Sequence, residues 1–195
     1  MLYAPSWEND NKEDEFIKAV ENFDVNMIVK QADWPEVYQH IKDNIEYMRS
    51  IHEGRYENLY YIEPEESIMT ALSLCDMVVS DESSVMAEAL MFGKPSVAVT
   101  DWMIPDEDPP RLASVPMDYI IKCEKRYLRE KVLSIMNHSE EYEDILQKGK
   151  DTFSNQGNVC KDIMNAIDYY TQGGTEDSFM SRKLESEYRA FNMWN

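Results

Sequence analysis

Short apolar runs alternate with longer segments of helical periodicity between residues 2 and 121, and this alternation limits the possible folds more than any other feature. The runs predicted as buried strands are Leu2–Ala4, Met27–Val29, Leu59–Ile62, Met77–Val79, Val97–Val99 and Tyr119–Ile121. The segments predicted as helices between them are Glu13–Phe23, Pro35–Ile51, Pro64–Leu74 and Ser84–Phe92. Because parallel strands are joined by crossover helices, the pattern predicts an α/β fold, a Rossmann-like doubly wound parallel sheet flanked by helices.

Beyond residue 124 the pattern becomes wholly helical. The predicted helices there are Lys125–Met136, Glu140–Thr152, Asn158–Tyr170 and Asp177–Phe191, and Gly173-Gly174 interrupts the pattern before the last of them. We therefore expect one domain over residues 1–172 and a helical C-terminal extension over residues 173–195. The proline-rich loop 104–116 follows a predicted strand, so it should lie at the carboxyl edge of the sheet, where open α/β sheets bind ligands.

Composition excludes several classes of partner. The formal net charge of -19 argues against nucleic-acid binding, which needs a basic surface, and makes contact with anionic membranes unfavourable. No apolar run reaches the roughly 18 residues of a membrane span, and no signal peptide is visible. The three cysteines show no disulfide or metal-binding spacing, which indicates a reducing, cytoplasmic setting. We expect neither a metal nor a cofactor.

The stretch 75–95 is the most informative for chemistry. A predicted strand runs into a polar turn and then into a helix that Gly93 ends. The first turn of a helix leaves backbone N–H groups free, and the helix dipole adds partial positive charge there, so a diphosphate could bind with the hydroxyls of Ser83 and Ser84. Glu88 lies one turn later on the same face, where its carboxylate could accept from both hydroxyls of a ribose.

A purely structural interpretation of the same residues is about equally favoured by the sequence. Serine and aspartate are common N-caps, so Asp81, Ser83 or Ser84 could simply join the strand to the helix. Glu88 could form an ion pair, with Lys94 for example, because a buried carboxylate without a partner is costly.

Two further residues follow predicted strands at the same edge of the sheet. Asp101 could bind a hydroxyl of the non-nucleotide part of a donor, or it could cap a loop. Trp7 could stack on a nucleobase, although packing beneath a loop is the commoner role of such an aromatic side chain.

Two motifs carry a family resemblance. Residues 79–89, followed by Gly93-Lys94-Pro95, resemble the donor-site segment of the CDP-glycerol glycerophosphotransferases, or teichoic-acid polymerases, which read T-D-Y-S-S, an acidic residue and then G-K-P. The opening Leu2-Tyr3-Ala4-Pro5-Ser6-Trp7 resembles the L-Y-A-P-T-W that begins their C-terminal domain. UDP-N-acetylglucosamine 2-epimerases and other GT-B enzymes have a similar architecture. The similarity runs, with gaps, from Leu2 to about Tyr170.

The resemblance implies that the chain is one half of a GT-B fold. It implies a donor-binding domain of a transferase that moves a glycerol-phosphate or glycosyl group from CDP-glycerol or a UDP-sugar to an acceptor hydroxyl in cell-envelope polymer synthesis. A second, N-terminal Rossmann-like domain is the expected partner and would carry the acceptor and the catalytic base. The residues assigned to the donor are Ser83, Ser84, Ser6 and Lys30 for the diphosphate, Glu88 for the ribose, and Asp81, Asp101 and Trp7 for further contacts.

Two positions depart from the family pattern. Where the family has K-x-H-P, this chain has Lys30-Gln31-Ala32-Asp33, so a histidine is missing, and Glu8 replaces an arginine. Both changes remove potential phosphate partners. They leave open two alternatives, a UDP-sugar 2-epimerase-like domain and a non-catalytic module that binds a nucleotide or a protein.

Overall fold

A six-stranded parallel sheet forms the centre of the molecule, in the order β3-β2-β1-β4-β5-β6. The structure is a computed structural model that describes residues 1–6, 11–103, 119–152 and 159–173. The strands are β1 Leu2–Tyr3, β2 Met27–Lys30, β3 Leu59–Ile62, β4 Val78–Ser80, β5 Ser96–Val99 and β6 Ile121–Cys123. Each neighbouring pair is parallel, which confirms the predicted Rossmann-like fold.

Helices cover both faces of the sheet. Those within residues 1–152 are α1 Lys12–Val20, α2 Gln39–His52, α3 Ile68–Leu74, α4 Val85–Met91, α5 Leu128–Asn137 and α6 Glu143–Thr152. A further helix, α7 Val159–Thr171, follows in the sequence. One core cluster joins the sheet to α1 and α5, with Phe16 and Val132 fully buried, and the other joins it to α3 and α4, with Leu72 and Met86 fully buried. Burial on both faces explains why the strands are continuous apolar runs rather than alternating ones.

Several boundaries differ from the prediction. The helix predicted from Pro64 begins at Ile68, because Ser67 is the N-cap and its side chain accepts a hydrogen bond from the amide of Met69. Pro64 lies in the preceding turn. The last strand begins at Ile121 rather than Tyr119, because Tyr119 and the residue after it are buried in a turn outside the strand ladder.

The chain divides into two compact units, Met1–Thr152 and Phe153–Asn195. All six strands and helices α1 to α6 belong to the first unit, and α7 belongs to the second. The domain boundary expected after residue 172 stays a prediction. The loop 104–116 and the helix predicted over Asp177–Phe191 lie outside the described residues. None of the described helices is long and apolar enough to cross a membrane.

Candidate functional site

The strand order creates a crevice between β1 and β4. These neighbours are not consecutive in the sequence, and the chain leaves β1 toward one side of the sheet and β4 toward the other. In open α/β sheets the carboxyl ends of such a pair are where ligands bind. Ser6 follows β1, and residues 81–84 follow β4, so the topology brings these predicted site residues to the same point.

Asp81 ties the two sides of the crevice together. Its side chain is fully buried, and Oδ1 accepts hydrogen bonds from the amide groups of Ser6 at 2.8 Å and Glu82 at 2.7 Å. Oδ2 accepts from Lys12 Nζ at 3.1 Å, and the Lys12 side chain is only 4% exposed. Asp81 therefore fixes the backbone on both sides of the crevice, and a direct contact with a donor stays a prediction.

Ser83 and Ser84 lie immediately before α4. Within the part of the chain that the structure describes, their backbone N–H groups have no hydrogen-bond acceptor. Helix α4 is only seven residues long, so its dipole is a small contribution and the two amides are the main donors at this point. Gly93 ends the helix as predicted, with φ of 65° and its amide donating to the carbonyl of Leu90.

Two oxygen atoms at the crevice are buried without a hydrogen-bond partner among the described residues. They are the Oγ of Ser6 and the Oε2 of Glu88. The other carboxylate oxygen of Glu88, Oε1, accepts from Ser84 Oγ at 3.4 Å, and no ion pair between Glu88 and Lys94 is found in the described ranges. Buried polar atoms are nearly always hydrogen-bonded in native proteins, so this pair is exceptional: the Ser6 hydroxyl is able to donate or accept, and the Glu88 carboxylate oxygen is able to accept.

Lys30 is held away from the two serines. Its Nζ donates to the carbonyl of Gln31 at 3.0 Å and to that of Pro64, which follows β3, at 2.7 Å. Since β1 lies between β2 and β4, and strands are about 4.8 Å apart, the end of β2 is about 10 Å from the end of β4. Burial lowers the pKa of Lys30. The structure thus places this amine toward β3, and its contact with a diphosphate stays a prediction.

The remaining predicted contacts are at the edge of the crevice or beyond the described residues. Asp101 follows β5, and its carboxylate accepts from the backbone N–H of Lys125, at the start of a short 3-10 helix over Lys125–Tyr127. That contact matches the loop-capping alternative. Trp7 lies outside the described residues.

The sequence interpretation missed a buried polar network at the same edge. Glu13 is fully buried at the start of α1, where it accepts from the hydroxyl of Tyr61 at 2.6 Å and from the side-chain amide of Gln31 at 2.8 Å. Burial raises the pKa of Glu13 and also that of Tyr61. A run of charged residues usually marks a solvated surface, so nothing in the sequence distinguished Glu13 and Lys12 from the exposed acids beside them.

A cavity of about 770 Å³ lies at the opposite, amino edge of the sheet. Its lining includes Met1, Met77 and Pro95, which precede β1, β4 and β5. We favour the carboxyl edge as the functional site because ligands of parallel α/β sheets bind there and because the two unpartnered oxygens lie there.

Comparison with known proteins agrees on the fold. No protein-family model matches the chain, and no curated protein sequence matches it. The UDP-GlcNAc 2-epimerase of Neisseria meningitidis bound to UDP-GlcNAc has a similar structure, with a TM-score of 0.54 and 17% identity, covering 85% of this chain and 43% of that one. The wall teichoic acid polymerase TagF gives a TM-score of 0.58 and 16% identity, covering 88% of this chain and 44% of that one. A variant of TagF soaked with CDPG gives a TM-score of 0.56 and 16% identity, covering 85% of this chain and 40% of that one.

These likenesses establish the architecture of the chain as a GT-B-like, Rossmann-type α/β domain. The chain spans less than half the length of each of these proteins. At 16 to 17% identity the comparison concerns the fold alone.

Proposed function

We propose that the crevice between β1 and β4 binds a nucleoside diphosphate linked to a small molecule. The observation that carries the proposal is a pair of buried oxygens, Ser6 Oγ after β1 and Glu88 Oε2 on α4, that have no hydrogen-bond partner among the described residues. The amides of Ser83 and Ser84, at the start of α4, also have no acceptor there. The amides of Ser83 and Ser84 and the hydroxyl of Ser6 are able to donate hydrogen bonds to phosphate oxygens. The carboxylate of Glu88 is able to accept hydrogen bonds from hydroxyl groups. A nucleotide offers both kinds of partner within one molecule.

In this proposal the diphosphate accepts hydrogen bonds from the amides and hydroxyls of Ser83 and Ser84, and Ser6 Oγ contributes from the β1 side. Glu88 Oε2 accepts from a ribose hydroxyl one helical turn further on. Asp81 joins the two loops, because it accepts from the amide of Ser6 and from Lys12 Nζ. Two of the structurally similar proteins were crystallised with UDP-GlcNAc and CDPG, which supports a ligand of this chemical class.

The finer proposal is a transfer reaction in cell-envelope polymer synthesis. An acceptor hydroxyl would attack the donor and displace the nucleotide, taking a glycerol-phosphate or glycosyl group. The amides of Ser83 and Ser84 would stabilise the negative charge that develops on the departing phosphate, without reorganising during the reaction. A second Rossmann-like domain would bind the acceptor and supply the catalytic base. This assignment rests on the sequence motifs together with the fold.

Calorimetry with CDP-glycerol and UDP-GlcNAc tests the binding proposal. Hydrogen bonds to charged groups contribute about 1.5–3 kcal/mol, so Ser84→Ala should weaken binding by roughly tenfold or more if its hydroxyl contacts phosphate. Ser73→Ala is the matched control, because Ser73 is an exposed helical serine whose hydroxyl bonds its own helix. No binding of either ligand, or equal effects of the two substitutions, would exclude the proposed site.

A binding-only role is the second candidate, and the position of Lys30 favours it. The one lysine of the family motif that this chain retains is engaged by two backbone carbonyls rather than directed to the crevice. Release of CMP from CDP-glycerol or of UDP from UDP-GlcNAc, measured with an acceptor present, distinguishes the two candidates. Turnover supports the transferase, whereas tight binding without turnover supports the binding module.

A further inference from the structure

The cavity at the amino edge of the sheet, which we call the amino-edge cavity, takes no part in the proposed function. Its volume of about 770 Å³ is within the range of about 300–1,000 Å³ that is usual for small-molecule sites. All of its lining residues belong to the first compact unit. Much of the lining is apolar: Met1, Ile28, Met77 and Ile135 are buried, whereas Leu74 and Met136 are 64% and 42% exposed. The cavity therefore offers apolar contact area to a ligand.

Three acidic side chains also line the amino-edge cavity. Asp24 and Asp76 precede β2 and β4, and Glu143 is the first residue of α6. Among the described residues, none of these three carboxylates has a hydrogen bond or an ion pair. Because β1 lies between β2 and β4, the two strands begin about 10 Å apart. The carboxylates are thus distributed along the cavity and are available to accept hydrogen bonds.

The backbone adds further acceptors to this cavity. The crossover helices run opposite to the parallel strands, so their C-terminal ends lie at the amino edge of the sheet. Leu74 is the last residue of α3, and Met136 lies in the last turn of α5. The last four carbonyl groups of an α-helix have no partner within the helix and carry partial negative charge. Helix ends and carboxylates therefore favour the same kind of ligand, one that donates hydrogen bonds and is positively charged.

Little positive charge opposes this preference. Lys94 is the one cationic side chain among the described residues of the lining. The amine of Met1 donates to the carbonyl of Asn26 at 2.7 Å, and burial lowers its pKa from the ordinary value of 8.0, so its positive charge is weakened near neutral pH. Three carboxylates thus exceed the cationic groups of the cavity.

We propose that the amino-edge cavity binds a small organic cation in which an ammonium group is attached to an apolar chain or ring. The ammonium group would donate to the carboxylates and helix carbonyls, and the apolar part would contact the methionine, leucine and isoleucine side chains. A metal ion matches less well, because no group of three or more metal-binding side chains occurs in the described part of the chain. The inference does not depend on the proposed function, since nucleotides are anions and the crevice lies at the opposite edge of the sheet.

The test is an amide chemical-shift titration of the nitrogen-15-labelled full chain at about pH 7.5, where an alkylamine is protonated. Hexylamine, n-hexanol and hexanoate share one apolar chain and differ in charge. Hexylamine should saturate the shifts of Met77 and Lys94, n-hexanol should bind more weakly, and hexanoate should bind most weakly. Butylamine tests the apolar part, because affinity should fall by about fourfold for each buried methylene group that is removed.

A matched pair of variants separates the cavity from the overall charge of the protein. Glu143→Gln removes one carboxylate of the lining and should weaken the binding of hexylamine by about two- to fivefold, as expected for an exposed ion pair. Asp76→Asn should have a similar effect. Glu141→Gln removes the same charge from an exposed residue two positions away, outside the lining, and should leave the affinity unchanged. Equal effects of Glu143→Gln and Glu141→Gln would assign binding to the net charge and overturn the inference.

The remaining outcomes also decide the question. If hexanol or hexanoate binds as tightly as hexylamine, the cavity does not select cations. If hexylamine leaves Met77 and Lys94 unchanged at millimolar concentration, or produces shifts spread over the acidic surface without saturation, the amino-edge cavity is not a binding site. Neither result affects the nucleotide proposal, because that site is tested by different ligands and by the amides of Ser83 and Ser84.

Discussion

The buried ion pair between Lys12 and Asp81 provides the sharpest prediction about stability. Lys12→Met removes the ammonium but keeps most of the aliphatic volume. It leaves a fully buried carboxylate whose donors within 3 Å, among the described residues, are the amides of Ser6 and Glu82. Removal of one partner of a buried pair costs about 3–5 kcal/mol, because the remaining charge is not compensated. We expect the free energy of unfolding to fall by that amount, measured by urea denaturation with tryptophan fluorescence.

A double-mutant cycle separates the pair from the two individual side chains. Asp81→Asn combined with Lys12→Met removes both charges, so the double variant should lose about 1–3 kcal/mol less than the two single losses added together. Lys18→Met is the control, since Lys18 forms an ion pair with Asp14 on the surface, and its side chain is 65% exposed. The exposed pair should contribute far less. If Lys12→Met costs no more than Lys18→Met, or if the single effects simply add, the pair does not join the two loops as described.

Three further predictions concern the scaffold. Burial lowers the pKa of His52 from its ordinary value of 6.5, so the unfolded chain takes up a proton at a higher pH than the folded one. The free energy of unfolding should therefore fall as the pH drops below 6.5 toward the lower folded value, and His52→Gln should flatten that fall in denaturation curves recorded across pH. Gly93→Ala should lower stability by about 1–2 kcal/mol in the same assay, because φ is 65°, a left-handed conformation that is unfavourable for a residue with a Cβ. Among the described residues no atom lies within 4 Å of the added methyl group, so a steric clash adds nothing to this loss. Gly149→Ala should cost about 1–3 kcal/mol for a different reason, since its Cβ would lie 2.6 Å from a methyl carbon of Leu90; a smaller loss would mean that Leu90 moves aside freely.

The sheet could be predicted because its evidence is local and repeated. Each strand is a short run of buried apolar residues, and each crossover helix shows its own periodicity, so errors at single residues did not change the topology. The predicted helix boundary was wrong at α3, where the start of the helix depends on a single polar side chain. The side chain of Ser67 caps α3, and this outweighed the general preference for proline at a first helical position.

Residues of the candidate site can be associated with one another from the sequence only where they are close together in it. The Ser83-Ser84 turn and Glu88 lie in α4 and the loop before it, so their helical spacing can be recognised in the sequence. Lys12 and Asp81 are 69 positions apart, and no periodicity connects them. The same holds for Lys30, the last residue of β2. The family resemblance assigns it to the diphosphate, whereas its contact with the carbonyl of Pro64 depends on where β3 ends.

Amide chemical-shift mapping with nitrogen-15-labelled protein tests the central claim most directly. When UDP-GlcNAc or CDP-glycerol is added, the amide resonances of Ser83 and Ser84 should move most, and that of Ser6 should follow, because these groups line the crevice between β1 and β4. The cavity at the amino edge offers an internal comparison, and the amides of Met77 and Lys94 there should move little. Shifts concentrated at Met77 and Lys94, with Ser83 and Ser84 unchanged at saturating ligand, would contradict the proposed site.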